Sequence, residues 1–440
     1  MKKILHAGLA FCLLPFALSA SDCNTRTTIP EYQMSLQAVV EMGLCRNPTT
    51  AAAYLSAESA RLNKNAGYAP YLPSINANAG LSKPYKNKEL GDNYYSAGLS
   101  ASWLIFDFGK RLADLNNLSA VWRATGFDYD ESVQNYVYGV IGSYYGLLTA
   151  DADVRAAADL QKTAQTAKDT ADKKFKAGAV AKADVLKAET TLAQRKLESE
   201  RAGNNREIAK AKLLAQLSFS PEQNIQISDM PSEFGAAAEN KSIDDLIADA
   251  KKNRPDLLRA GANSDAAWHR RNAAFLKNLP SISATGNVGW GGENLSDTYN
   301  ISGNKLDGSI GVRASMPIFA GFANLYGLRA AEANYDRTKE LERNASDNAG
   351  YDVFSAYQNY KTAQKVLEQT DVLLKSATES ERVTAGMYNV GRASMLDWQT
   401  AQSELASATR QSNSAKYDLF VKRAGLALAV GDIKSELKGK

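Results

Sequence analysis

Two periodicities divide this chain. Over 73–82, Ile75, Ala77, Ala79 and Leu81 alternate with Ser74, Asn76, Asn78 and Gly80. The same alternation returns over 95–105, where Tyr95, Ala97, Leu99, Ala101, Trp103 and Ile105 interleave with serines and Gly98. It returns again over 281–290 (Ile282, Ala284, Val288 and Trp290 against Ser281, Ser283, Thr285 and Asn287) and over 308–316 (Ile310, Val312, Ala314 and Met316 against Ser309, Gly311, Arg313 and Ser315). A period of two places each set on its own face of a strand, so four strands are expected. About ten residues is the length that crosses an outer membrane when tilted. Tyr95, Trp103 and Trp290 fall near strand ends, where interfacial aromatics belong. A soluble sheet with one face on a core shows the same alternation. The second face here is small, polar and nearly uncharged, as a wall lining water in a crowded barrel requires.

The other period is helical. None of the eleven prolines falls within 85–220 or 318–440. Val133, Val137, Val140, Ile141, Tyr144 and Leu148 recur at helical spacing, followed by Leu160, Ala164, Ala167, Ala171 and Phe175. The later part reads as a heptad-like seam of alanine, which lets helices approach closely. The pattern predicts a helix over Lys110–Lys176, about 100 Å long at ~1.5 Å per residue, and a shorter return over Lys182–Leu217. The second half predicts the same pair over Asn324–Gly386 and Ser394–Val430. A further helix is expected from Ser35, a capping residue, to about Ala66. Helices this long must pack mostly against each other.

The two halves share one plan. Residues 44–80 match 251–287, with Asn47-Pro48 answered by Arg254-Pro255 and Leu72-Pro73 by Leu279-Pro280. "LIFDFG" at 104–109 is answered by "PIFAGF" at 317–322, and 174–189 by 387–402. A single displacement of about 210 residues indicates duplication, not a solenoid. The expected organisation is a secretory signal over 1–20, a first repeat over 21–219, a joining segment over 220–241 and a second repeat over 242–440.

Composition narrows the function. The 440 residues are 44% hydrophobic and 23% charged, with a formal charge of +4, too even to argue for nucleic acid. Lys2 and Lys3, the apolar run Ile4–Leu18 and the small residues 19–21 read as an export signal, with an uncleaved anchor as the alternative. No other stretch approaches the ~18 apolar residues of a membrane helix. Cys23 and Cys45 remain beyond the signal, and an oxidising compartment favours a disulfide between them; two separate thiols, or lipidation of Cys23, are the alternatives. Only His269 lies beyond the signal, so a histidine-rich zinc site is excluded. Nucleophile-elbow, phosphate-loop and HExxH motifs do not occur, and neither enzyme activity nor a cofactor or metal is expected. Arg313, on a polar strand face, either lines a lumen or pairs with a carboxylate. Four strands cannot close a membrane barrel, because the smallest need about eight, and open edges in lipid leave backbone groups unpaired. Either the strands do not span, or three chains contribute about twelve strands to one barrel.

The duplicated NP…YLP segments, the strand ends Ile105–Gly109 and Ile318–Gly321, and the doubled G-x5-D spacing at Gly178–Asp184 and Gly391–Asp397 resemble the TolC-type outer-membrane efflux proteins. The resemblance covers essentially the whole mature chain, and its cysteine-bearing start is similar to the branch serving type I secretion. It implies a homotrimer with a twelve-stranded barrel in the outer membrane of a Gram-negative bacterium, continued by a long helical barrel of coiled-coil hairpins in the periplasm. It implies a passive duct, pinched at its inner end, where a periplasmic adaptor and an inner-membrane ABC or proton-driven pump dock. Carried over residue by residue, Tyr388 takes the place of a tyrosine that holds the aperture shut, Asp184 that of its acidic partner, and Asp397 that of the first acidic ring position. Thr400 stands where a second acid is expected, thinning the ring. Gly178 and Gly391 allow the hairpin turns and present Lys176, Val390 and Arg392 to an adaptor. Read without the resemblance, Asp184 and Asp397 are first-turn acids favoured by the helix dipole. The rival from another class is a periplasmic coiled-coil structural or adaptor protein.

Overall fold

The computed structural model describes residue 29 and residues 32–83, 85–86, 89–91, 93–228, 241–292 and 306–434. The expected signal over 1–20, Cys23 and residues 229–240 of the joining segment lie outside the described residues.

The single helix expected over 35–66 is two: α1 (Leu36–Arg46) and α2 (Pro48–Ala66). The cause is Pro48, which disfavours helical geometry at the residue before it. Asn47 accordingly turns extended, with φ −68° and ψ 120°. Its Oδ1 then caps α2, accepting from the amides of Thr49 at 2.9 Å and Thr50 at 3.0 Å. Ser35 caps α1 as expected, its hydroxyl accepting from Ala38 N. The second repeat breaks in the same place, before Pro255, where Arg254 takes φ −67° and ψ 121° between α5 (Ile243–Asn253) and α6 (Pro255–Leu276).

The long helices follow the proline-free stretches. They are α3 (Lys110–Lys176) and α7 (Ala323–Asn389), 67 residues each, with shorter returns α4 (Lys182–Gln216) and α8 (Met395–Val430). Among the described residues, no helix is long and apolar enough to cross a membrane.

The chain divides into two compact units, and each draws on both repeats. The first comprises 1–52, 130–254 and 348–440. Its core includes Val133, Val137, Val140, Ile141, Tyr144 and Leu148 of α3, all buried as their spacing predicts, together with Leu213 and Leu214 of α4. The Tyr144 hydroxyl donates to Ser228 O at 2.6 Å, where the joining segment pairs with Met34. Further along α3, Ala164, Ala167 and Ala171 form the buried seam. Phe175, expected to extend it, is exposed. A second cluster joins Leu246 and Ala250 of α5 to Val353 and Tyr360 of α7 and Leu426 and Val430 of α8.

The second unit, 53–129 and 255–347, holds the sheet. Strands β1 (Ser74–Ser82), β4 (Tyr94–Phe106), β5 (Ser281–Gly292) and β6 (Leu306–Ser315) pair antiparallel in the order β1-β4-β5-β6. Two-residue strands β2 (Tyr85–Lys86) and β3 (Glu89–Leu90) pair with each other within the β1–β4 connection. The register aligns the alternation across the sheet. Ala77, Leu99, Val288 and Gly308 form one cross-strand row and Ile75, Ala101, Gly286 and Ile310 the next. The other face carries Asn76, Ser100, Asn287 and Ser309, then Ser74, Ser102, Thr285 and Gly311. Ile105 departs from expectation. A bulge between Leu104 and Phe106 pairs Phe106, not Ile105, with Ile282.

The protomer covers neither face of β1, whose residues are all exposed, and Ile310 on the apolar face is 95% accessible. Strands β1 and β6 are the sheet's edges.

The passage from β4 into α3 is tightly built. Phe108 and Gly109 both take positive φ, 55° and 94°, reversing the chain. Asp107 caps the new helix, its carboxylate accepting from Gly109 N at 3.2 Å and Arg111 N at 2.8 Å. Arg111 returns to the sheet's end, donating to the carbonyls of Leu104 (2.6 Å), Ile105 (3.0 Å) and Pro70 (3.1 Å) and to Asp107 Oδ2 (3.2 Å). Its guanidinium also lies 4.7 Å from the centre of the Tyr71 ring.

Candidate functional site

The residues singled out in the sequence converge on two hairpin tips, both in the first unit. Each long helix ends in the same motif. Gly178 takes φ +71° and Gly391 φ +79°. At the first tip, Gly178 N donates to Phe175 O and Ala179 N to Lys174 O. At the second, Gly391 N donates to Tyr388 O and Arg392 N to Met387 O. This doubled closure at a left-handed residue satisfies the last helical carbonyls and favours glycine. Any Cβ at these positions meets open space but carries the strain of positive φ. Lys176, Val390 and Arg392 are exposed around the turns.

Tyr388 sits inward, 3% accessible, in a cluster with Ala167, Ala171, Val185, Ala188, Met395 and Trp398. The small residues of α3 and α4 admit two large rings from the second hairpin, Tyr388 and Trp398, at 5.1 Å between centroids. Trp398 Nε1 donates to Glu381 Oε1 at 2.8 Å, tying α8 back to α7. Lys174, in the last turn of α3, reaches across the hairpins. Its ammonium lies 4.2 Å from the centre of the Tyr388 ring and donates to the Tyr388 carbonyl. Farther from the tip, Gln399 Nε2 donates to Lys187 O at 2.9 Å and Thr191 Oγ1 at 2.6 Å, tying α8 to α4.

The expected hydrogen bond between Tyr388 and Asp184 is not formed. Among the described residues the buried Tyr388 hydroxyl has no hydrogen-bond partner. Asp184 lies near enough for its charge to act. Burial first, and that carboxylate second, push the phenol above its ordinary value, so it stays neutral. Asp184 occupies the first turn of α4, half-buried, its amide donating to Ala181 O.

Asp397 is a capping residue. Its Oδ2 accepts from Ser394 N at 2.9 Å and Ser394 Oγ at 2.7 Å, while Ser394 Oγ accepts from Asp397 N at 3.2 Å. The reciprocal box starts α8. The Ser394 hydroxyl, and then its amide, hold the Asp397 carboxyl below the usual aspartate range. A depressed folded value stabilises above the unfolded one and is lost as pH falls through the folded value. The melting temperature of the parent is therefore expected to exceed that of Asp397→Asn at neutral pH and to converge on it below the ordinary aspartate range. Equal differences at pH 7 and pH 2.5 would remove the cap's electrostatic contribution. Thr400 is exposed, its hydroxyl donating to Leu396 O at 3.0 Å.

Away from the tips, Arg313 stands on the polar face of β6 opposite Ser283, with no ion pair among the described residues. Cys45 is disulfide-bonded; its expected partner, Cys23, lies outside the described residues. Sequence reasoning missed Lys174, Trp398 and Glu381 at the tips and the Asp107–Arg111 pair at the strand end. The one signal for Lys174 was its place in a basic last turn, shared with Lys173 and Lys176.

Comparison with known proteins places this architecture. The family model "Outer membrane efflux protein" matches residues 39–217 and 246–432. Protein CyaE of Bordetella pertussis is 24% identical over 404 residues, covering 91% of this chain and 84% of its own. Outer membrane protein TolC of Salmonella enteritidis is 22% identical over 455 residues, covering 99% and 87%. Among solved structures, the outer-membrane channel OprN superposes with a TM-score of 0.80 at 20% identity, covering 90% of this chain and 89% of its own. The CmeC outer membrane channel of Campylobacter jejuni gives 0.77 at 20% identity, covering 90% and 85%. The fold is that of these channels, and the match to both repeats is decisive for membership: this chain belongs to the outer membrane efflux protein family.

Proposed function

We propose that three copies of this chain form one passive exit duct through the outer membrane, its strands sealed into a common barrel and its hairpin tips forming the closed inner end. The observation that carries this reading is the sheet. It has one apolar face and one small polar face, and its edge strands β1 and β6 are exposed on both. Lipid on the apolar face and water on the other suit that chemistry, provided that sister strands pair the edges. Substrates are delivered by an inner-membrane pump through a periplasmic adaptor, which meets the exposed turns at Lys176, Gly178, Val390, Gly391 and Arg392. At the aperture, Asp397 repeated threefold concentrates negative potential, and Thr400 contributes none. Arg313 faces the lumen.

Light scattering of the detergent-solubilised chain tests this. A trimer that forms discrete conducting channels in planar bilayers is expected. A protein that washes from membranes without detergent and stays monomeric would instead be a periplasmic coiled-coil component.

A further inference from the structure

We propose that Lys174 is the pin that holds the tip of the second hairpin against the first. The inference deepens the reading of the tips as the closed end of a duct and rests on it. The last turn of α7 ends in carbonyls that carry the negative end of the helix dipole. Lys174 brings a full positive charge to that end from another helix, donating to the Tyr388 carbonyl and covering the Tyr388 ring at 4.2 Å. One ammonium thus makes a charge-assisted hydrogen bond and a cation–π contact with the same residue.

No other polar contact among the described residues joins α3 to the last two turns of α7. The Gln399 bonds tie α8 to α4 and leave the end of α7 untouched. The Tyr388 hydroxyl makes no hydrogen bond among the described residues. What Tyr388 supplies is its carbonyl and its ring, and both survive replacement by phenylalanine. Asp184 reaches this cluster through its charge, with Lys174 between the two hairpins as the group that makes contact.

The experiment compares Lys174→Met, Lys174→Arg and Tyr388→Phe in full-length trimers by two readouts. These are single-channel records in planar bilayers and hydrogen exchange of the 386–392 amides. A charged hydrogen bond of ordinary strength corresponds to a shift of roughly tenfold or more. Lys174→Met is expected to raise open occupancy by at least that factor and to speed exchange at Gly391 and Arg392, whose amides close the turn. Lys174→Arg, which donates and stacks in turn, is expected to restore both. Tyr388→Phe is expected to leave both unchanged. Unaltered exchange and conductance in Lys174→Met overturn the proposal, as does opening by Tyr388→Phe to the same extent. Faster exchange without any change in conductance upholds the pin and overturns the placement of the aperture at these tips.

Discussion

Replacing Arg111 by alanine is expected to destabilise the protomer by about 3–5 kcal/mol, the cost of stripping one partner from a buried ion pair. Thermal unfolding in detergent and the yield of assembled trimer are the measurements. Asp107 and Arg111 have side chains only 10% and 12% exposed, so the remaining carboxylate cannot retreat to bulk water. The charge is one part of the loss. The guanidinium also satisfies three carbonyls, those of Leu104, Ile105 and Pro70, at the point where the sheet's hydrogen bonding stops. Those acceptors are left to water or to nothing, and each buried one adds its own desolvation penalty. Two consecutive positive-φ residues, Phe108 and Gly109, hold the chain reversal at this point. Without the clamp, the strain at Phe108 is offset only by the remaining local contacts, the Asp107 cap and the edge-on packing of Phe108 on Phe106 at 4.7 Å among them. Arg111→Lys is expected to fall between the two, since an ammonium neutralises Asp107 but does not span three carbonyls. A variant that melts within about 0.5 kcal/mol of the parent, as ordinary surface changes do, would show that the clamp is incidental.

The elements were largely legible because their periods differ and their punctuation is chemical. Four alternating runs give four strands within a few residues, and the proline-free stretches give the long helices nearly to their ends. Pro48 and Pro255 each break a helix that apolar spacing alone carries through. What failed was local geometry that repeats do not encode. The strand ends "LIFDFG" and "PIFAGF" look equivalent, yet Asp107 and Arg111 are answered by Ala320 and Asn324, so only the first junction carries the clamp. The bulge at Ile105 reverses one residue's facing without altering the alternation that precedes it. At the tips, the sequence singled out Tyr388 but not which of its atoms make contacts. A phenol suggests a hydroxyl latch. The packing instead buries that hydroxyl and offers the ring and carbonyl to Lys174, whose neighbours Lys173 and Lys176 are indistinguishable from it in composition. Partner choice between long flexible side chains is set by three-dimensional register, which periodicity does not report.

The assignment of the two sheet faces yields the last and sharpest contrast, between adjacent residues. Val288 lies mid-strand on the apolar face, between Leu99 and Gly308, and Asn287 lies beside it on the polar face, between Ser100 and Ser309. Val288→Arg is expected to cost about 2–4 kcal/mol per protomer if that face meets lipid near the bilayer midplane. In a trimer the penalty falls three times, and heat-modifiable trimer should disappear from the outer-membrane fraction. Asn287→Arg places the same side chain in water, among serines and glycines with room for it, and should assemble normally. In the proposed trimer its three added charges line the barrel, and the reversal potential in a salt gradient should move toward anion preference, as charged rings do in pores. Neither substitution disturbs the ladder's backbone bonds, so any difference between them isolates the solvent each face meets. Equal assembly of the two variants would mean that neither face contacts lipid, and that the exposed apolar rows are covered by protein. Loss of both would instead indicate a strand packed too tightly on either side to admit arginine, which the exposure of Asn287 and of Ser309 beside it argues against.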